Sequence, residues 1–200
     1  MRHGSTRLVR LTLLIASLIS SNAFAGDEPP LPNFRLGSRV NPLLLLSRPD
    51  VRTDLNLSAE QTSSAERAIR NLYVQAHSLR DKPKNPETLR ARRAVDDEAF
   101  TWITSRLSPE QNARLAQIDL QWEGPSALSR TTIARDMHLD HAQIAKLKAA
   151  IERHAESRKK KHESADEVLA EVALSILSGP QRETWKAMLG VPIPFKNLKP

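Results

Sequence analysis

Four histidines are the side chains of this sequence best suited to bind a metal ion. His138 and His141 are three residues apart, and His154 and His162 follow later in the chain. Imidazole nitrogens are common ligands of zinc and copper, and a structural zinc site takes four ligands around one point. The His138-x-x-His141 spacing offers no evident third ligand. We therefore predict no metal or other cofactor, and these four histidines are the only candidates for a metal site.

Residue patterns that support catalysis are missing or badly spaced. The sequence has no Cys, and it contains no Gly-x-Ser-x-Gly, His-Glu-x-x-His or phosphate-binding Gly-rich motif. Asp96, Asp97 and Glu98 are consecutive. Because consecutive helical positions point in different directions, these carboxylates do not form a paired acid–base site by themselves. We therefore predict that the protein is not an enzyme.

The densest run of positive charge is Arg158-Lys159-Lys160-Lys161-His162. Such a run can contact anionic lipid or an acidic partner, although it is more often a solvated turn or helix face. The sequence leaves both interpretations open.

The composition indicates which elements carry these residues. Of the 200 residues, 40% are apolar but only 4% are aromatic, and Cys is absent. These values exclude a disulfide-stapled module and a Cys-based zinc finger. The core must be built from Leu, Ile, Val and Ala, which favours helices over a sheet sandwich.

The first 25 residues have the pattern of a secretory signal peptide. Arg2, Arg7 and Arg10 precede an apolar stretch, and Ala23-Phe24-Ala25 provides the small residues that a signal peptidase requires. The apolar stretch is too short for a membrane-spanning helix, and no later segment is long enough. We therefore predict cleavage after Ala25 and a periplasmic or secreted protein with no transmembrane segment after signal removal.

Removal of the signal also lowers the net charge. The loss of three Arg from the 30 basic residues leaves 27 against 23 acidic ones, a formal charge of +4. A charge this small, together with export, argues against nucleic acid as a partner.

The mature chain divides into a helical domain and two tails. Residues 26–41 and 191–200 contain several Pro, and we predict an extended linker and an extended tail. Between them, residues 42–190 have apolar side chains at every third or fourth position, which predicts an all-helical domain. We expect helices at about 59–79, 87–106 and 109–122, with Ala76 on the buried stripe of the first and Leu89 buried in the second. Ala155 is expected on a later buried stripe with Ile144, Leu147 and Ile151. The stretch from His141 to Leu177 is either one long helix or two helices that turn near residues 158–164.

A five-residue pattern of Leu, Ser or Asp, two variable residues and Gln occurs four times. The copies begin at Leu57, Leu107, Leu139 and Leu177. The residues that precede the first copy, 51–56, also resemble those that precede the third, 133–138. We therefore predict pseudo-repeats at about 49–124 and 131–190, produced by duplication with an insertion near the Pro83–Pro86 turn. This resemblance between the halves favours the helical hairpin over the single long helix.

The pattern is typical of a capping box at a helix start. Ser or Asp accepts a hydrogen bond from the backbone N–H three residues later, and the Gln side chain reaches back to the N–H of the cap residue. The preceding Leu is expected to be buried beneath the helix. The predicted motif residues are Leu57, Ser58, Gln61, Leu107, Ser108, Gln111, Leu139, Asp140, Gln143, Leu177, Ser178 and Gln181.

These motifs resemble the repeated Leu-Thr-x-x-Gln motifs of small periplasmic proteins of the Spy and CpxP type, which include a zinc-resistance-associated member. Here Ser or Asp takes the place of Thr, and four copies take the place of two. Leu107–Gln111 and Trp122-Glu123-Gly124-Pro125 look still more like exported proteins of planctomycete-type bacteria. The resemblance implies an all-α bundle of helical hairpins, here in two related halves, that binds protein clients in the cell envelope.

Two functions are compatible with this sequence. The first is a chaperone-like or adaptor protein that binds envelope protein clients in an apolar groove between helices. The alternative is a metal-responsive zinc or copper protein that uses the four histidines. The sequence does not specify the client or the oligomeric state.

The capping interpretation makes a prediction that separates architecture from binding. Replacing Ser108 or Ser178 by Ala should lower the free energy of unfolding by about 0.5–2 kcal/mol and leave partner binding nearly unchanged. If the glutamines instead form a recognition surface, Gln111→Ala combined with Gln181→Ala should weaken client binding without lowering the melting temperature. Denaturant unfolding and a client-binding assay on the same variants distinguish the two.

Overall fold

The computed structural model describes residues 41–159 and 165–195. These residues form α-helices and one 3₁₀ helix, with no β-strand among them, which confirms the predicted all-α fold class. None of the helices in this described part is long and apolar enough to cross a bilayer. The predicted signal peptide, residues 26–40 of the predicted linker, His162 and residues 196–200 lie outside it.

The first half of the chain contains five helices. They are α1 (Pro42–Leu45), α2 (Pro49–Asp54), α3 (Ala59–Ser78), α4 (Pro86–Arg106) and α5 (Pro109–Glu123). Pro stands in the first turn of all of them except α3, where its missing N–H leaves no additional donor unsatisfied. The two long helices α3 and α4 pack on each other.

The second half follows the same order. A 3₁₀ helix (Gly124–Ser129) is followed by α6 (Thr131–Asp136), α7 (His141–Lys159), α8 (Ala165–Ile176) and α9 (Gly179–Leu189). The stretch from His141 to Leu177 therefore contains two helices rather than one. α7 and α8 pack closely along their length.

Hydrogen bonds between side chains and neighbouring helices show that both long pairs are antiparallel. In the first pair, the start of α3 lies beside the end of α4, because Gln61 bonds to the Arg106 carbonyl. In the second pair, the start of α7 lies beside the end of α8, because Gln143 bonds to the Ile176 carbonyl. Each half therefore consists of two short helices, a helical hairpin and one further helix.

Two apolar cores lie on either side of α5. Leu115 and Ile118 of α5 belong to the core of the first half, together with Leu43, Leu45, Ile69 and Ile103. Leu120 belongs to the core of the second half, together with Leu128, Leu147, Leu177 and Trp185. Since α5 contributes to both cores, it joins the two halves of the bundle.

The inward face of α4 differs from the predicted one. We expected Leu89 to be buried, but its side chain is 44% exposed and Thr88 is buried in its place. The inward face of α4 is formed by residues four or seven positions apart, namely Thr88, Val95, Ala99 and Ile103. Leu89 directly follows Thr88, so its side chain points away from this face. Ala76 and Ala155, expected on the buried stripes of α3 and α7, are also exposed.

Residues 191–195, the described part of the predicted tail, are not helical, as expected, but they pack against the first half. Ile193 is buried in the first core, and its N–H donates to Gln121 Oε1 at 2.9 Å. The rings of Phe195 and Trp122 meet edge to face, with centroids 5.1 Å apart. The extended tail therefore begins with a segment that is part of the folded domain.

Candidate functional site

All four predicted motifs lie at helix starts and make both hydrogen bonds of a capping box. In the first, Ser58 Oγ accepts from the Gln61 N–H at 3.1 Å, and Gln61 Oε1 accepts from the Ser58 N–H at 3.0 Å. The same two bonds join Ser108 to Gln111, Asp140 to Gln143 and Ser178 to Gln181. These side chains satisfy backbone donors that a helix start otherwise leaves without partners.

The leucines that precede the caps fall into two classes. Leu107 and Leu177 are buried, whereas Leu57 and Leu139 are only half-buried. The expectation that all four are buried is therefore wrong for two of them. Leu57 and Leu139 follow the six-residue helices α2 and α6, which cover less of a neighbouring side chain than α4 and α8 do.

The four glutamines form two reciprocal amide pairs, which the sequence analysis missed. Gln61 Nε2 donates to Gln111 Oε1 at 2.9 Å, and Gln111 Nε2 donates back to Gln61 Oε1 at 3.4 Å. Gln143 and Gln181 repeat this exchange at 2.7 and 3.1 Å. One pair joins the start of α3 to the start of α5, and the other joins the start of α7 to the start of α9.

The second N–H of each amide donates to a backbone carbonyl just before the motif of its partner. Gln61 and Gln143 donate to the carbonyls of Arg106 and Ile176 at 2.9 and 3.0 Å. Gln111 and Gln181 donate to the carbonyls of Leu55 and His138, both at 3.2 Å. Glu cannot replace Gln here because a carboxylate has no N–H to donate. A capping box accepts either residue, so the use of Gln in all four copies was the available signal.

The segment before the first and third motifs also repeats in detail. Asn56 and His138 both have positive φ, at 49° and 51°, the left-handed conformation that ends α2 and α6. The next N–H bonds back to Arg52 O at 3.1 Å in the first half and to Ala134 O at 2.9 Å in the second. His138 therefore occupies a backbone turn that the first half builds with Asn.

The three candidate histidines among the described residues do not form a metal site. His138 and His141 are exposed, and His154 Nε2 lies 2.6 Å from Asp166 Oδ1 between α7 and α8. Within residues 41–159 and 165–195, no three His, Asp or Glu side chains lie together in a way that could bind a metal ion. Because His162 lies outside the described residues, the metal-responsive alternative stays a prediction.

Two arginines at equivalent positions contact α5. Arg48 is buried, bonds Asp50 through two nitrogens at 2.7 and 3.0 Å, and lies 5.0 Å from the centroid of the Trp122 ring. Arg130 bonds Asp119 at 2.7 Å and also pairs with Glu123. The shared Leu-Ser-Arg at 46–48 and 128–130 was the sequence signal for these residues. It places the start of each pseudo-repeat a few residues earlier than predicted.

The acidic residues do not form a shared site either. Asp96 Oδ1 accepts from Asn41 Nδ2 at 3.3 Å, and Glu98 Oε2 accepts from Gln75 Nε2 at 3.4 Å. Glu110, in the first turn of α5, accepts from Ser108 Oγ at 2.7 Å. This hydrogen bond, helped by the N–H of Glu110 itself, lowers the pKa of Glu110 from its ordinary value of 4.5.

An open groove of about 490 Å³ lies between α1, α3 and α4. We call it the α3–α4 groove. Its apolar lining consists of Leu43, Leu44, Leu72, Tyr73, Ala76, Leu79, Val95 and Ala99. Its polar lining consists of Asn41, His77, Arg80, Arg92 and Asp96. This concave apolar surface with a few polar groups has the form of a small binding site.

Comparisons with protein-family models, with curated proteins and with solved structures give no match to this chain. The geometry of the described residues is therefore the basis for assigning a function.

The amide pairs predict a thermodynamic coupling. Gln61→Ala and Gln111→Ala, measured singly and together by urea unfolding, should show a coupling of about 1 kcal/mol because the two side chains are in contact. The matched control combines Gln61→Ala with Gln143→Ala, two equivalent residues in different pairs. Their effects should add to within about 0.5 kcal/mol. Additive behaviour of Gln61 and Gln111 would contradict the pairing.

Proposed function

We propose that this protein is exported and binds apolar segments of envelope protein clients in the α3–α4 groove, as a chaperone-like or adaptor protein without catalysis. The signal-peptide pattern of residues 1–25 supports export to the periplasm or beyond. The resemblance of the four capping motifs to those of Spy and CpxP supports client binding. The open apolar α3–α4 groove is the structural feature that supports the proposal.

The groove has the properties that reversible binding requires. Ala76 and His77 at its mouth are exposed, while Leu72, Leu79 and Ala99 on its floor and walls are buried. Covering an apolar side chain of a client contributes about 1.5–3 kcal/mol. A groove that takes two such side chains therefore gives weak binding once the entropy of association is subtracted. Weak binding suits a protein that must release its client without ATP.

The walls of the groove belong to helices with fixed positions. The amide pair of Gln61 and Gln111 joins the start of α3 to the start of α5 and to the end of α4. At the other end of α4, the Asn85 side chain caps the helix by accepting from the Thr88 N–H at 2.8 Å. A preformed groove loses less entropy on binding than a mobile one.

Ala76→Arg provides the test of this proposal. Ala76 is exposed and lines the groove, so an Arg side chain there should obstruct client binding without disturbing the core. Ala94→Arg is the matched control, because Ala94 is an exposed alanine of α4 that does not line the groove. Both variants should unfold within about 0.5 kcal/mol of the wild type.

The measurement is light scattering of three unrelated unfolded clients at equimolar protein. We expect the wild type and Ala94→Arg to suppress aggregation and Ala76→Arg to lose at least half of that suppression. No suppression by the wild type, or equal suppression by both variants, would contradict the proposal.

A further inference from the structure

We infer that the α3–α4 groove prefers peptide segments in which an acidic group stands next to two apolar side chains. This inference rests on the proposed function and specifies the chemistry of the client. It depends on two arginines, Arg80 and Arg92, which lie together at one end of the groove.

Backbone carbonyls hold Arg92 in place. Its Nη2 donates to the Leu79 carbonyl at 2.8 Å and to the Arg80 carbonyl at 3.4 Å, at the C-terminal end of α3. These bonds orient the guanidinium. Among the described residues, neither Arg80 nor Arg92 has a carboxylate within ion-pair distance.

Four other arginines of the bundle are paired differently. Each has a carboxylate partner, in the pairs Arg48–Asp50, Arg52–Glu66, Arg114–Asp54 and Arg130–Asp119. In the Arg114–Asp54 pair, the hydrogen bonds raise the pKa of the Arg114 guanidinium above its ordinary value. Arg182 resembles Arg92, because it donates to the Leu174 and Leu177 carbonyls, but it does not line the groove. Half-buried Arg92, oriented by backbone oxygens and facing an apolar groove, is therefore suited to receive a carboxylate from outside the bundle.

The groove also has a polarity. Asp96 lies one helical turn from Arg92 along α4 and accepts from Asn41 Nδ2 at 3.3 Å. An acidic group placed beside Asp96 would be repelled, whereas one placed beside Arg92 and Arg80 would be attracted. A bound segment should therefore have one preferred direction, with its acidic group at the arginine end.

The length of the groove favours a peptide over a long acyl chain. Leu72 and Leu79 mark its extent along α3, and seven residues of helix at 1.5 Å each span about 10 Å. An extended peptide advances about 3.3 Å per residue, so about three residues fit. Two apolar residues and one acidic residue fill that length.

The test uses three acetylated and amidated tripeptides, Leu-Leu-Glu, Leu-Leu-Gln and Leu-Leu-Lys, titrated into the full protein and followed by NMR. The probes differ in charge but not in apolar content. For the wild type we expect Leu-Leu-Glu to bind about fivefold or more tightly than Leu-Leu-Gln, with Leu-Leu-Lys weakest. The chemical-shift changes in the protein should be largest at Ala76 and Val95.

Arg92→Gln should reduce the preference for Leu-Leu-Glu to less than twofold, and Arg92→Lys should restore part of it. Arg80→Gln should also reduce it, and because this side chain makes no hydrogen bond within the described residues, its loss leaves the fold intact. Arg93→Gln is the matched control, since Arg93 is exposed on the same helix and does not line the groove. It should keep the wild-type preference.

Three results would overturn the inference. Equal affinities for the three probes, with shifts in the groove, would refute the charge preference while leaving the proposed function in place. Binding of dodecanoate that is tighter than that of Leu-Leu-Glu would make the ligand a lipid. No binding of any probe would refute both the inference and the proposed function.

Discussion

The reciprocal bonding of two glutamine amides is the interaction on which the rest of this structure depends. Each amide has two N–H groups and an oxygen with two acceptor sites. In Gln61 and Gln111, the oxygen accepts from its own N-cap and from its partner, while the N–H groups donate to the partner and to a backbone carbonyl. This pair thus joins the starts of α3 and α5 to each other, to the end of α4 and to the turn after α2. Gln143 and Gln181 do the same in the second half.

Each amide pair fixes one end of a hairpin, so the opposite ends of the two hairpins can differ in length. α4 has 21 residues and the described α8 has 12, yet both end one residue before the Leu of a motif. Counting back from Leu107 and Leu177 aligns Val95 with Ala165, so residues 86–94 have no counterpart in the described α8. By the same count, Arg92, at the charged end of the α3–α4 groove, aligns with His162, which lies outside the described residues. Val95, Asp96 and Ala99, which also line the groove, align with Ala165, Asp166 and Leu169.

The local features of the fold were accessible from the sequence. Helix period, Pro positions and capping boxes depend on residues within a few positions of each other, so the all-α class and the start of α5 at Pro109 could be predicted. The break between α7 and α8 could only be favoured, by comparison with the first half. The amide pairs, the Arg48 contact with Trp122 and the packing of Ile193 join residues far apart in sequence. The helical period of the sequence does not specify such contacts. His138 is a different case. We considered it as a metal ligand because of its imidazole, but its position is that of a left-handed turn at the end of α6.

The central claim is that two amide pairs fix the helix starts, and hydrogen exchange of glutamine side-chain NH₂ groups measured by NMR tests it most directly. Seven glutamines are present in the chain. Gln75 is the internal reference because its side chain is exposed and its NH₂ group makes one long hydrogen bond, 3.4 Å, to Glu98. The account predicts slow exchange for the NH₂ groups of Gln61, Gln111, Gln143 and Gln181, and cross-peaks between the side chains within each pair but not between pairs. Exchange of these four amides as fast as that of Gln75, with no cross-peaks within the pairs, would contradict it.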